Sequence, residues 1–500
     1  MTIAPLSTTL SLNRSIAESR DLLARFQEQL ATGKKVKTYG DLGVARSHVL
    51  SLRSELGQIA GYQKTISQVD IRLDVMLLSL ERFREIASEA KSDALEVGFD
   101  PGGDGQTVYQ REAAGWFDEA TALLNTNIGD RYLFGGRETE QNPVLSSKEI
   151  LDGADTRAGF KQVASERRQA DLGTDGRGRL VLAAPAGTTA VIAEDTAGSP
   201  FGFKLNAAAT NAAGIDITGP AGVPATIDVD FNGIAVNDGE TVRFTFDLPD
   251  GTQKDLTLTA RATGPVNPGE FLIDADPNIM AANFQTALTA EIETVAQRSL
   301  SAASLFAATN DFFDFDAGNP PQRVAGPPFD SATALTNATA TDTIFWYQGE
   351  VSSTPARDSA LAKVDDSIIA SYGARANEDS FRTVMKNLAA VAVEIFSVGD
   401  ANASARYSEL KLRASSGLSF AAGAQSVDDL VAEIVIAKKT IDQAGARHKE
   451  SQQLLQGFID DEENADIYEV STAILSLQGR IEASLQVSAS LSRLSLVNFL

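Results

Sequence analysis

At 500 residues the chain exceeds the size at which a single hydrophobic core stops growing, so two to four domains are expected. The formal net charge of −24 works against counterion-release binding to nucleic acid or to anionic lipid. The absence of cysteine excludes disulfide staples, cysteine-ligated zinc and thiol nucleophiles together.

Apolar residues recur at helical spacing near the start of the chain. Leu12, Ile16, Leu23, Phe26 and Leu30 share one face, and Gly33 stands where a helix would end. Residues 34–43, with Gly40 and Gly43, read as a connector. From Val49 through Leu52, Leu56, Ile59, Tyr62, Ile66, Val69, Leu73, Met76, Leu80, Phe83, Ala87 and Ala90 the steps are threes and fours. This predicts one long helix with a narrow apolar seam and one coiled-coil stammer, where two threes meet at Ile59. A further helix is expected from about Thr107 to Asn127, after the turn FDPGGDG at 99–105.

Between about 130 and 355 the helical period gives way to short alternating runs. Residues 181–300 carry fifteen carboxylates against five basic residues, which marks the most solvated part of the chain. The clearest hairpin joins Val242, Phe244 and Phe246 to Leu256 and Leu258 across a turn at Pro249, Asp250 and Gly251. Segments 225–231 and 180–183 read as strands. Phe284, Leu288, Ile292 and Val295 propose a helix, and residues 300–313 a second. The Pro-, Ala- and Thr-rich stretch 319–341 reads as a linker or irregular loop.

Helices are expected again at 356–370, 376–398 (Phe381, Val384, Leu388, Val391, Ile395) and 402–422. Ser426 with Asp429 resembles a capping box opening a long helix through Val427, Val431, Ile434, Ile441, Ala444, His448, Leu455 and Phe458. That helix should pair with the one at 45–96. Asp466 with Glu469 signals another start, followed by Val470, Ile474, Leu477, Ile481, Leu485, Leu491 and Leu494 on one face. The fold class expected is therefore mainly α with an inserted β-rich region: a long antiparallel coiled-coil-like bundle of helices from both termini, with outer α+β structure in the middle. The divisions fall at 1–44, 45–175, 176–354, 355–465 and 466–500.

Each terminal stripe has five to seven large apolar residues, and each such side chain contributes roughly 1.5 to 3 kcal/mol only when fully buried. Backbone ordering costs about 1 to 2 kcal/mol per residue, so two helices paired by narrow seams gain little alone. Enclosure by further copies would change that balance, which makes folding on assembly a natural expectation. Periodicity by itself fits equally an antiparallel bundle that its own ends cap.

Three segments bear on the choice: FQEQLATGKKVKTYGDLGVA at 26–45, GDRYLFGGRETEQNPV at 129–144, and IEASLQVSASLSRLSLVNFL at 481–500. Together they resemble the bacterial flagellin family, most nearly its flagellin-like hook-associated members at the hook-filament junction, over about 1–145 and 355–500. The ending SLVNFL favours the junction members, whereas the large insertion at 176–354 is closer to an elaborated filament flagellin. The resemblance implies a secreted structural subunit of the flagellum, supporting motility, self-assembling through its ends and exported unfolded by the type III route. The lack of a basic-then-apolar leader in Met1–Leu10, and of any run of 18 apolar residues, agrees with that route. Partners so implied are sister copies, hook-associated proteins, flagellin and an export chaperone, with neither nucleic acid nor membrane. The assembly face would comprise Leu12, Ile16, Leu23, Phe26, Leu30, Ile474, Leu477, Ile481, Leu485, Leu491 and Leu494. The alternative classes are a filament-forming flagellin and a secreted adhesin or carbohydrate-binding surface protein whose middle region carries the activity.

Chemistry-bearing motifs are few, and no cofactor, metal or catalytic role is expected. Gly102, Gly103 and Gly105 lack the spacing of a nucleotide loop. DLGTDGRG at 171–178 lacks the closing glutamate of a calcium loop and reads as a turn. His48 and His448 lie on long helices without ligand spacing around them and read as surface or seam positions; the alternative is that they meet across a bundle. Asp460, Asp461, Glu462 and Glu463 read as solvated capping residues of the last helix. Tyr132–Gly136 reads either as a strand entering a glycine turn or as an assembly contact.

Overall fold

The computed structural model describes residues 4–316, 318–397 and 399–497, and within these the side chains of 10–490. Helix α1 (Ala4–Thr32) leads to α2 (Ala45–Glu96) and α3 (Val108–Leu124). A hairpin of β1 (Asn127–Ile128) and β2 (Arg131–Tyr132) precedes α4 (Ser147–Asp152), a second hairpin of β3 (Gly153–Ala154) and β4 (Arg157–Ala158), and α5 (Phe160–Leu172). The larger strands follow: β5 (Leu180–Leu182), β6 (Thr189–Glu194), β7 (Lys204–Thr210), β8 (Ile215–Ala221), β9 (Thr226–Phe231), β10 (Thr241–Asp247), β11 (Gln253–Arg261) and β12 (Glu270–Leu272). Helix α6 (Pro277–Val295) runs through a π turn into α7 (Ser301–Phe313). Short strands β13 (Gln322–Val324), β14 (Leu335–Asn337), β15 (Leu361–Lys363) and β16 (Ile369–Ser371) lead to α8 (Asp379–Val393), α9 (Ala403–Gly417), α10 (Val427–Glu463) and α11 (Ile467–Val497). The fold is mixed α+β, with several small sheets and no barrel among the described residues.

The chain divides into two compact units. One comprises residues 1–70, 362–370 and 439–500, and the other 71–361 and 371–438.

In the first unit, α1 packs along α11, and the first part of α2 packs along the last part of α10. Leu52, Ile59, Leu455 and Ile459 form a small core there, with Leu56 against it. Gln63 donates to Gln452 at 3.0 Å, which sets an antiparallel register between the two helices. His448 is buried, stacks on Tyr62 at 5.3 Å, and has Nε2 2.7 Å from the Val364 carbonyl oxygen. His48 is exposed, so the two histidines do not meet. The expected seam position Phe458 is 46 % exposed, and Ile459, one residue on, takes the buried place.

In the second unit, the order β5-β6-β9-β8 makes one four-stranded sheet and β12-β11-β10-β7 another. The hairpin read from the sequence is present: Val242 pairs with Leu258 and Phe244 with Leu256, and Gly251 turns with φ +80°. Alternation buries Val242, Phe244, Phe246, Leu256 and Leu258, while Arg243 and Thr257 point out. Helix α6 closes this core by setting Phe284 edge-on to Phe271 at 5.3 Å and to Phe231 at 5.5 Å. A second, helical layer holds Phe83, Phe134 and Phe381 in edge-to-face contact, and Trp346 donates from Nε1 to the Phe313 carbonyl at 3.1 Å. The later part of α2 meets the start of α10 through Asp74–Lys438 at 2.9 Å and Arg84–Asp428 at 3.5 Å.

Three expectations fail locally. Residues 356–370 are not helical: after a short 3₁₀ turn they form β15 and β16, with Ala362, Val364 and Ala370 buried and Leu361, Lys363 and Ile369 exposed. That period of two, with a turn at Asp365–Asp366, overrides the helix propensity of the alanines. The helix expected at 376–398 stops at Val393, and Ile395 is 59 % exposed, because Glu394 leaves the helical conformation (φ −69°, ψ 139°). The proposed linker at 319–341 contains the antiparallel pair β13–β14, with Val324 opposite Leu335.

Candidate assembly interface

Helix α1 ends where its sequence changes character: Gly33 adopts φ +69°, a conformation that β-carbon-bearing residues rarely take. The chain then crosses residues 463–465. Lys35 donates its backbone N–H to the Glu463 carbonyl at 2.8 Å, and Ala465 donates to the Gly33 carbonyl at 2.9 Å. This clip sets the end of α1 beside the start of α11, so the two helices run antiparallel from it. Asp466 caps α11, accepting from the Tyr468 and Glu469 amides at 2.8 and 3.3 Å.

Glu463 anchors the clip. Its carboxylate is nearly buried, accepts from Arg53 Nη2 at 2.8 Å, and lies 3.3 Å from Lys34 Nζ. Burial raises its pKa, but the hydrogen bonds and charges of Arg53 and Lys34 outweigh that and hold it below the ordinary carboxylate value. Arg53 also lies over the Tyr39 ring at 5.2 Å. Carboxylates in the last turn of α10 oppose the helix dipole, so the cations of 34–37 and Arg53 offset that cost. The sequence reading of 460–463 as solvated capping residues of the last helix is therefore corrected for Glu463, which is an internal ion-pair anchor; Asp466 is the cap.

Along α1 and α11 the expected face splits by burial. Ile16, Ile474 and Leu477 are buried between the helices; Leu12, Leu23, Phe26 and Ile481 are half-buried. Leu30 is 41 % and Leu485 44 % exposed, so neither is enclosed as a core residue would be. Leu491 and Leu494 lie outside the residues whose side chains are described. Sequence reasoning missed the buried Ser19, whose hydroxyl donates to the Ser15 carbonyl at 2.8 Å. It also missed the Lys34–Glu463–Arg53 cluster, for which the basic GKKVK connector and the acidic run at 460–463 were the available signal.

Large apolar side chains are also exposed off the seam: Leu10, Leu22, Leu475, Val487 and Tyr468. Helix α11 carries only Glu469, Arg480, Glu482 and Arg493 as charged residues along its length. The pair thus presents apolar surface on more than one side, as a helix does when further helices are to cover it.

The other singled-out residues are used internally. Tyr132–Gly136 enters a glycine turn in which Phe134 is buried on Phe381, Gly136 (φ +67°) donates to the Ala374 carbonyl at 3.2 Å, and Ala376 donates to the Phe134 carbonyl at 2.8 Å. A β-carbon on Gly135 would lie 2.1 Å from the Glu138 carbonyl oxygen, so that glycine serves a close backbone approach. In the 171–178 turn, Asp171 accepts from Arg167 and from the Gly202 amide, both at 2.9 Å, and so is engaged within the protein. No group of acidic or histidine side chains among the described residues has the arrangement of a metal site, and no helix there is long and apolar enough to cross a membrane.

Compared with models of known protein families and with curated proteins, the chain gives no match to either.

Proposed function

We propose that this protein is a structural subunit of a bacterial flagellum, of the flagellin-like class at the hook-filament junction, and that it assembles through α1 and α11. On this reading the terminal and long helices extend as an antiparallel coiled-coil-like bundle, and the β-rich middle faces outward. The observation that supports it best is the incomplete burial of the α1/α11 seam: Leu30 and Leu485 remain exposed on a face in which Ile16 and Ile474 are buried. The three family-like segments at 26–45, 129–144 and 481–500 supply the flagellar context. Sister copies would cover the seam, with hook-associated proteins and flagellin at the ends of the stack and an export chaperone shielding it beforehand.

Deletion of residues 467–500 tests the reading. The truncated chain is expected to stay soluble, keep the β-rich unit folded, and fail to polymerise or join hooks. Polymerisation at the rate of the full chain overturns it. Labelling on intact cells separates the junction from the filament-forming alternative: a spot at the filament base against label along its length.

A further inference from the structure

A pocket of about 370 Å³ opens in the second unit, where the later part of α2, the β1–β2 hairpin with the turn after it, and the chain flanking β15 and β16 come together. Its size falls within the range of small-molecule sites. Arg72 and Met76, one turn apart, come from one face of α2, Arg131 and Arg137 from the hairpin and its turn, and Ser359 and Tyr372 from either side of the β15–β16 segment.

The sign of this lining runs against the composition. The chain has 67 acidic and 43 basic residues, yet three arginines and no carboxylate line the pocket. Elsewhere in the unit arginines are neutralised within the protein, as Arg413 is by Asp250 at 2.7 Å and Glu409 at 2.6 Å. Arg131 is exposed and Arg72 half-buried, and neither makes an ion pair among the described residues. Arg72 makes a long contact, 3.5 Å, to the hydroxyl of the buried Tyr372. Arg137 lies 3.8 Å from Glu350, but that carboxylate is shared with Arg375 at 3.6 Å and accepts the Arg137 backbone N–H at 2.9 Å.

Three guanidinium groups around one opening, with no counter-charge in its wall, focus a positive potential there. Each offers a planar fork of donors that matches two oxygens of a carboxylate or phosphate group. The Tyr372 hydroxyl, which accepts from Arg72, keeps its own proton to donate. A neutral molecule gains little from such a wall, and a monovalent anion leaves two of the three charges unanswered.

We infer that the pocket bounded by Arg72, Arg131, Arg137 and Tyr372 binds a small polyvalent oxyanion bearing phosphate or carboxylate groups. Held there, the anion ties α2 to the hairpin and to the chain after β16, and so stabilises the folded state. The site stands apart from the assembly role, because it draws nothing from α1 or α11.

The full-length protein is to be titrated calorimetrically with pyrophosphate and, separately, with citrate, at fixed ionic strength in chloride buffer, with the melting temperature followed in parallel. At least one anion should bind in the millimolar range or tighter and raise the melting temperature to a plateau. Binding of pyrophosphate alone assigns phosphate groups, and binding of citrate alone assigns carboxylates. Arg131→Gln should weaken that binding about tenfold while leaving the melting temperature in chloride unchanged, since the side chain is exposed and unpaired. Arg72→Gln should weaken it too, whereas Lys148→Gln, at an exposed lysine outside the pocket, should not. Stabilisation by excluded salt reaches no such plateau and is common to all the variants. Failure of both anions to bind at millimolar concentration, or undiminished affinity in Arg131→Gln and Arg72→Gln, overturns the assignment.

Discussion

The aromatic core around α6 and the paired helices α1 and α11 use the same kinds of side chain to opposite ends. Phe231, Phe244, Phe271 and Phe284 are each at most 1 % exposed, closed in by two sheets and a helix of the same chain. Leu12, Leu23, Phe26 and Ile481 are half-buried at best, because a single partner helix covers only one side of each. A sheet closed by a helix completes its own enclosure, whereas a helix pair leaves most of each cylinder to whatever packs next. Stability should therefore reside in the first region and sensitivity to association in the second.

The largest effect should come from Phe284→Ala. Removing a fully enclosed ring in contact with three others is expected to cost about 3 to 5 kcal/mol. Both tryptophans, Trp116 and Trp346, lie in the same unit, so urea unfolding followed by fluorescence reads the loss directly. An unchanged midpoint would break the comparison.

Acid should also weaken the β-rich unit. Glu409 is held down at about 2: burial raises it, but Lys254, Arg413 and Ser299 lower it further. Because its folded value lies below the unfolded 4.5, its contribution is fully present above about 4.5 and is lost as pH falls through about 2. The contribution is on the order of 2 kcal/mol, and Glu409→Gln should flatten the stability curve across that window. A wild-type slope in the variant would assign the acid sensitivity elsewhere.

Glu463→Gln probes the clip of the helical unit. Arg53 and Lys34 are each 46 % exposed, so solvent screens the pairs and about 1 kcal/mol is expected. The amides of Lys35 and Ala465, which close the clip, should exchange with deuterium faster. Since the Glu463 carboxylate is also held below its ordinary value, the same loosening should appear in the wild type as pH drops below the normal carboxylate range. Exchange unaffected by the substitution would mean that the backbone bonds hold the clip unaided.

Much of this was legible in the residues, for identifiable reasons. Long seams such as Val69–Leu73–Met76–Leu80–Phe83 declare a helix because their period persists over many turns, and all five residues are buried. The β10–β11 hairpin was equally plain, since alternation and a Pro-Asp-Gly turn agree. Residues 356–370 misled because their alanines favour a helix while only a few alternating positions speak for β15 and β16. The clip eluded sequence reading because Lys34 and Glu463 are 429 residues apart, and nothing local says that two short charged runs meet. The apolar face of α1 and α11 was legible as a stripe, but its depth of burial was not: periodicity says which residues share a face, and the number of neighbouring helices decides how far they are covered.

The smallest effect on stability is expected where the comparison is sharpest. Leu485 lies on the stripe of Ile474, Leu477 and Ile481 yet is 44 % exposed, so Leu485→Ser in the monomer should change stability by no more than about 0.5 kcal/mol. If sister copies enclose that position, the same substitution puts a hydroxyl into a filled apolar site and deletes a side chain whose burial contributes roughly 1.5 to 3 kcal/mol per copy. Repeated at every subunit contact, this should raise the critical concentration for polymerisation more than tenfold while the melting temperature of the monomer stays put. Sedimentation of polymer beside calorimetry of monomer measures both quantities. Equal polymerisation by Leu485→Ser and wild type would mean that the open end of the seam stays in water even in the assembled state, and the face that binds sister copies would then have to be sought among Leu22, Leu475 and Tyr468.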